Sequence, residues 1–458
     1  MPVDVAIVGG GISGLTAART LCARGFAVRL IEREPACGGV IHTDAVDGFV
    51  IDSGPDTLLA HKPAALALVR ELGLEGSLVA PHPRRTTYVV RDAGLRTLPE
   101  TSALGLPTGW KTVVDATAFS LRGKLRMAAE PFIRPAPPAD DESIASFVRR
   151  RFGREAVKYV AEPLLAGLHR GDPSRLSMRA LFPFLARAER DHGSVTRAWQ
   201  KMPARSGGGS GSMSLREGLS QIPRRMQSDL PPDVPITATA VVGIQRSGKE
   251  HRVLLQDGRE LRARALLLAT PAYATASLVS SLDAELARLC ATIRYVPASA
   301  VALGFKRSDI ADHLDGWGFV VPARERRRAV KSASWVSSKW PGRAPGDHAL
   351  LRLSLDANVT IDMPDEMLVE WALADLRPLL RISGAPVLSR VYRRPRAMPQ
   401  LEVGHLDKIA AIDRRLAEHG GLFVSAAGFR GVGLPDCIAD AQKTAEQVEA
   451  WIRMCAAA

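Results

Sequence analysis

The chain has 458 residues, 46% hydrophobic and 24% charged, the composition of a soluble globular protein of two or three domains. Its net charge of +13 comes from scattered arginines, and the local clusters at 149–154 and 323–331 lack interleaved aromatics, which argues against nucleic-acid binding. Five widely spaced cysteines without a C-x-x-C pair argue against a disulfide scaffold, a zinc site and a c-type haem, and no apolar run of about twenty residues could span a bilayer.

The first element is "DVAIVGGGISGLTAARTL", residues 4–21: a buried strand, a tight turn and a helix from about Ser13. Gly9, Gly11 and Gly14 fill the G-x-G-x-x-G pattern. They supply a turn, a close backbone approach to a pyrophosphate, and close strand–helix packing. The helix start offers free N–H groups to the phosphates. The next strand, "FAVRLIERE", ends at Glu32, where a carboxylate can accept from both hydroxyls of an adenosine ribose.

Beyond it lie Gly38-Gly39, a strand ending in the Gly54-Pro55 turn, and a helix over about 62–72. Residues near 100–200 read as a mostly helical insertion, and "RSGGGSGSMSLREGL" (205–219) as a flexible connector. Strands follow, with a hairpin at Asp257-Gly258 and the buried run "ALLLAT"; 272–390 mixes strands and helices. The chain closes with a strand, a glycine-rich turn at 427–434 and a long helix. A strand–glycine turn–helix at both ends implies one discontinuous nucleotide domain. Closure from the far end of the chain suits a held FAD better than a diffusing nicotinamide.

Several stretches together resemble the flavin-containing amine oxidase superfamily, and within it the bacterial coproporphyrinogen III/protoporphyrinogen oxidases. They include "GGGISGL", "DSGPDT", "EPLLAGLHRGDPSRLS", "GWGFVVP", "KWPGRAPGDHALLR", "MPQLEVGHLDKI" and "GFRGVGLPDCI". The resemblance implies an α/β fold with a discontinuous Rossmann-like FAD domain (1–85, 205–275 and 390–458), a helical insertion (86–204) and an α+β substrate domain (276–389). It places FAD contacts on Gly9, Gly10, Gly11, Ile12, Ser13, Gly14, Glu32, Val40, Gly54, Pro55, Asp56, Thr57, Val241, Ala427, Val432, Gly433 and Leu434. On the substrate side it implies Arg85 as a propionate anchor, Lys62 near the pocket mouth, Gly167 and Gly318 as bare backbone beside the macrocycle, and Trp317 and Val320 as walls.

The implied reaction converts coproporphyrinogen III to coproporphyrin III, with dioxygen as acceptor and protoporphyrinogen IX as the neighbouring substrate. The flavin carries that chemistry, so no catalytic side chain and no metal is expected. Arg85 could equally be a surface residue beside Arg84, and Lys62 an exposed helix start; His169, His192 and His405 read as packing residues. An amine oxidase or carotenoid desaturase on the same scaffold is the second reading; Phe429 is one candidate cage residue for it, but no tyrosine sits beside it and the arginine-rich balance suits anions better. A non-enzymatic flavin or nucleic-acid binder is the third. The stretch 104–133 reads as a lid over the pocket, with peripheral membrane contact as its alternative. A cytoplasmic setting, at most peripheral to a membrane, fits, and a ferrochelatase could receive the product.

Overall fold

A computed structural model describes residues 3–83, 86–92, 94–98, 117–135, 141–168, 170–201, 211–322 and 328–457. Two seven-stranded sheets organise it. In the first, Val3–Val8, Val28–Ile31, Pro235–Ile236, Glu260–Leu268 and Leu422–Val424 are linked by parallel pairing. These runs are apolar at nearly every position because both faces of a parallel sheet are covered. On one face the helices Ile12–Ala23 and Leu434–Ala457 pack together, with Leu15, Ala18 and Leu21 in the same core as Ala445, Val448 and Ile452. Strands from both ends of the chain thus share one sheet. Its antiparallel extension is the hairpin Glu250–Leu255/Glu260–Leu268, edged by Val241–Ser247.

The second sheet runs in the order 388–399, 295–306, 348–355, 330–335, 318–320, 87–91, 94–97. Alternation sets its two faces apart. Val301, Leu303, Phe305, Phe319, Trp335, Leu351, Leu353 and Leu355 form a core with the long helix Asp365–Leu380. On the opposite face Ala302, Leu350 and Leu388 share an apolar core with Phe49 and Trp340, and the rest is mostly small and cationic. Three placements differ from the sequence reading. Residues 87–91 and 94–97, expected in the insertion, are strands of this sheet, and strand Leu388–Pro399 straddles the expected boundary at 390. Ser212–Leu215, expected in the connector, pairs with Leu58–Leu59 and Leu78–Val79.

Helices over 121–128, 144–152, 154–168 and 178–201 make a third layer around Phe147, Phe152 and Tyr159. Its centre is polar. Glu130 and Arg151 are both fully buried, and Glu130 also accepts from Ser194 Oγ (2.5 Å) and the N–H groups of Val195 (3.0 Å) and Thr196 (3.1 Å). Burial alone would raise the Glu130 pKa, but the bonds from Ser194 and Thr196 and the Arg151 charge outweigh it, leaving the pKa below its ordinary value. A carboxyl depressed in the folded state stabilises above its unfolded pKa, and that contribution fades as pH falls. The melting temperature should therefore drop steeply below about pH 4.3. Glu130→Gln should melt lower at neutral pH and show a shallower acid slope. Parallel slopes in the two proteins would contradict the assignment.

Candidate active site

The three opening glycines divide their work as the spacing predicts. Gly9 has φ +105°, which turns the chain. A Cβ on Gly14 would sit 1.9 Å from the Gly9 carbonyl oxygen, so strand and helix meet only because it is absent. Gly11 is different: it is the N-cap, its backbone is extended, and nothing lies within 4 Å of an added Cβ. No side chain caps the helix, and Ile12 and Ser13 in its first turn are buried. The amides there remain available to an anion. Glu32 closes the cradle: its Oε2 accepts from Gly10 N–H at 2.6 Å and its Oε1 from Glu34 N–H at 2.9 Å. An open, uncapped helix start beside a fixed carboxylate fits the diphosphate and ribose of FAD. Val241 starts the sheet's edge strand just after Thr239, whose N–H donates to the Glu32 carbonyl at 3.2 Å.

The second segment meets the first through backbone. A Cβ on Gly54 would lie 2.0 Å from the Val40 carbonyl oxygen, although the Val40 side chain itself is half exposed. After Pro55, Asp56 and Thr57 enter a cationic nest that the sequence reading assigned to no role. Lys339 Nζ donates to Thr57 Oγ1 at 3.0 Å and stands 3.7 Å from Asp56. Arg352 donates to the carbonyls of Asp52 (2.5 Å) and Gly54 (2.8 Å), and lies 3.6 Å from Asp56. Burial would raise the Asp56 pKa, but Lys339 and Arg352 hold it far below the carboxylate range. For Lys339 burial wins, and its pKa is lowered despite Asp56. Asp52 is paired instead with the buried Arg343 at 2.9 Å.

The far end of the chain supplies the third segment. Tyr295 OH donates to the Ala427 carbonyl at 2.9 Å, and Gly428 N–H bonds the Gly431 carbonyl at 2.8 Å. Val432 and Gly433 then lead into the helix that begins at Leu434. The buried His405 donates from Nε2 to the Phe429 carbonyl at 2.8 Å, a packing role as read from sequence. Lys62, expected near the pocket mouth, is partly exposed, and its Nζ is 2.7 Å from both carboxylate oxygens of Asp436, in the first turn of the last helix.

Above these segments lies the small-residue face of the second sheet. Register aligns Gly318, Ser334, Arg352, Ala302 and Arg390 in one row, and Val320, Ser332, Ser354, Ala300 and Tyr392 in the next. Five strands at about 4.8 Å spacing make a face, or floor, roughly 20 Å across, with Arg352 in the middle of the first row, Ser354 in the middle of the second, and Ala302 closed off in one apolar core with Phe49 and Trp340. Gly318 is obligatory here: its φ is +136°, and a Cβ would meet the Ala333 carbonyl oxygen at 1.9 Å. Trp317 walls one end, with Lys339 Nζ 5.5 Å from its ring centre. Tyr392 OH ties the other end to Asp44 at 2.6 Å.

The helix Glu162–Leu168, which carries Gly167, packs against strands 318–320 and 330–335. The stretch expected as a lid, 104–133, falls partly outside the described residues. Within that stretch, residues 121–128 form a helix packed on the insertion, with Leu121, Leu125 and nearby Phe132 pointing to solvent. Arg85, His169 and residues 104–116 lie outside the described residues. Among the described residues there is no metal-binding cluster, and no helix is long and apolar enough to cross a membrane.

Residues 12–449 match the family model of flavin containing amine oxidoreductases. The coproporphyrinogen III oxidase of Bacillus subtilis (strain 168) is 33% identical, with 95% of each chain covered. Protoporphyrinogen oxidase 1, chloroplastic, of Spinacia oleracea is 30% identical over 97% of this chain and 84% of its own. A crystal structure from Exiguobacterium sp. 255-15 superposes with a TM-score of 0.85 at 26% identity, covering 98% of this chain and 99% of that one.

Proposed function

Because the chain belongs to the flavin containing amine oxidoreductase family, with FAD as cofactor, we propose that it oxidises coproporphyrinogen III to coproporphyrin III. The observation that carries this is the small-residue face of Gly318, Ser332, Ser334, Ser354 and Ala300, held above the 52–57 segment by Arg352. A broad, flat surface of small side chains suits a macrocycle lying close to backbone. The cations around it suit a rim of carboxylates. Bound FAD supplies the two-electron oxidation, taken in three steps with dioxygen as final acceptor. The chain's own residues bind and orient: Arg352 and Lys339 fix the 52–57 segment, Trp317 and Val320 wall the floor, and the helix 162–168 excludes water. No acid–base pair is needed at the floor.

Protoporphyrinogen IX is the alternative substrate. An amine is disfavoured: Phe429, one cage candidate the sequence offered, is 1% exposed and packed in the core beneath the first sheet. Oxygen uptake with coproporphyrinogen III, protoporphyrinogen IX and benzylamine in parallel tests the reading. Uptake with matching porphyrin fluorescence is expected from coproporphyrinogen III first, and none from benzylamine. Turnover of benzylamine alone would overturn it. We further propose peripheral membrane contact through Leu121, Leu125 and Phe132, which stand beside Arg122 and Lys124. Co-flotation with anionic vesicles, lost in Leu125→Ser/Phe132→Ser, is its check.

A further inference from the structure

Charge pairing around the floor does not close. Asp56 answers Lys339 and Arg352, and Asp52 answers Arg343. Besides the exposed Arg390, whose NH1 donates to the Ser389 carbonyl, two further guanidinium groups remain. Arg394 lies on the floor side of its strand, opposite Ala298 and in alternation with Tyr392 and Arg390. Arg170 follows the helix Glu162–Leu168 and donates from NH1 to the Ser299 carbonyl at a long 3.3 Å. Both therefore converge on residues 298–299 of the central strand. Neither has a carboxylate within ion-pair distance among the described residues. The nearest acid in sequence, Asp172, is committed to Ser174, accepting from its N–H at 2.8 Å and its hydroxyl at 2.7 Å.

Burial, then the neighbouring Arg352, pushes the Arg170 pKa down to about 10, and burial lowers that of Arg394. Withdrawn cations of this kind are costly unless an anion meets them. Arg170 is held besides in the left-handed region, at φ +51°, a conformation that a residue with a side chain adopts at a cost of roughly 1 kcal/mol or more. Among the described residues, one of its five guanidinium N–H donors has a partner.

We propose that Arg170, with Arg394 beside it, receives the propionates that coproporphyrinogen carries where protoporphyrinogen carries vinyl groups, and so sets the preference for the tetracarboxylate substrate. This rests on the porphyrinogen reading above. A guanidinium is suited to bidentate carboxylate pairing, and a vinyl group in its place would leave it buried and unmet.

The test uses the holoenzyme and two variants. Arg170→Gly removes the guanidinium while tolerating the left-handed backbone, and Arg170→Lys keeps the charge without the fork. Expected for Arg170→Gly is a KM for coproporphyrinogen III raised about tenfold or more, and coproporphyrin III binding, followed by fluorescence quenching, weakened to match. Its KM for protoporphyrinogen IX, its flavin content and its melting temperature should stay near the parent's, with Arg170→Lys intermediate for the tetracarboxylate. Equal shifts for both substrates, or no shift for either, would overturn the assignment. A parent enzyme that oxidises neither porphyrinogen would instead overturn the reading beneath it.

Discussion

Gly11→Ala is expected to fold with a melting temperature close to the parent's and yet to purify with little bound FAD; Gly14→Ala should fail to give a stable protein at all. The two substitutions are chemically identical and three residues apart, so the contrast isolates geometry. At Gly11 the backbone is extended and an added Cβ meets nothing within 4 Å. The apoprotein therefore tolerates it, but the methyl occupies the space through which a diphosphate must approach the first-turn amides. At Gly14 the same methyl lies 1.9 Å from a backbone oxygen. Relief requires the first strand and first helix to separate, at about 3 kcal/mol or more, in the centre of the largest core. Flavin absorbance per protein and thermal melting read both effects. Normal flavin content in Gly11→Ala would contradict the placement of the diphosphate.

Arg352→Met should cost about 3 kcal/mol and release the flavin more readily than any change at Lys62. Among the described residues, Arg352 is the side chain that holds the Asp52 and Gly54 carbonyls from the second sheet while also facing Asp56. Methionine fills much of the volume but leaves two acceptors unmet and Asp56 with Lys339 alone as its near cation. Asp56 is depressed in the folded state, so its stabilising contribution exists above the unfolded pKa and is lost on acidification. Without Arg352 the depression shrinks, and stability at neutral pH falls with it. Arg352→Lys should be intermediate, since one ammonium cannot span the same acceptors. Melting temperature and flavin retention after dilution are the readouts; a variant equal to the parent in both would remove Arg352 from the flavin segment.

The parts of this fold legible in the sequence are those encoded locally. The strand, glycine turn and helix at 3–23, the carboxylate at Glu32, the Gly54-Pro55 turn and the terminal helix each announce themselves within about twenty residues, because glycine spacing and apolar periodicity are short-range signals. The cationic nest was not legible in that way. Arg352 meets Asp52 across 300 residues, and only strand register brings them together. A signal was nevertheless present: a lone arginine in the apolar strand "HALLRLSL" is unexpected unless something polar waits on one face. The alternation of small residues in "PASAVALG" and "KSASW" likewise encodes the floor, but its meaning depends on which strands lie side by side. The Lys62–Asp436 pair was not legible because the two residues lie 374 positions apart. Strands 87–91 and 94–97 were read with the insertion because the chain leaves the second sheet for about two hundred residues before returning to it.

The most direct measurement is a single anaerobic mixing of the purified holoenzyme with coproporphyrinogen III. The yellow flavin absorbance should bleach as the first electron pair is taken, and admitted dioxygen should restore the colour with release of peroxide while porphyrin fluorescence rises as the remaining two oxidations follow. A protein that is colourless and takes up no FAD, or a yellow one that coproporphyrinogen III leaves unbleached, would contradict the account at its root.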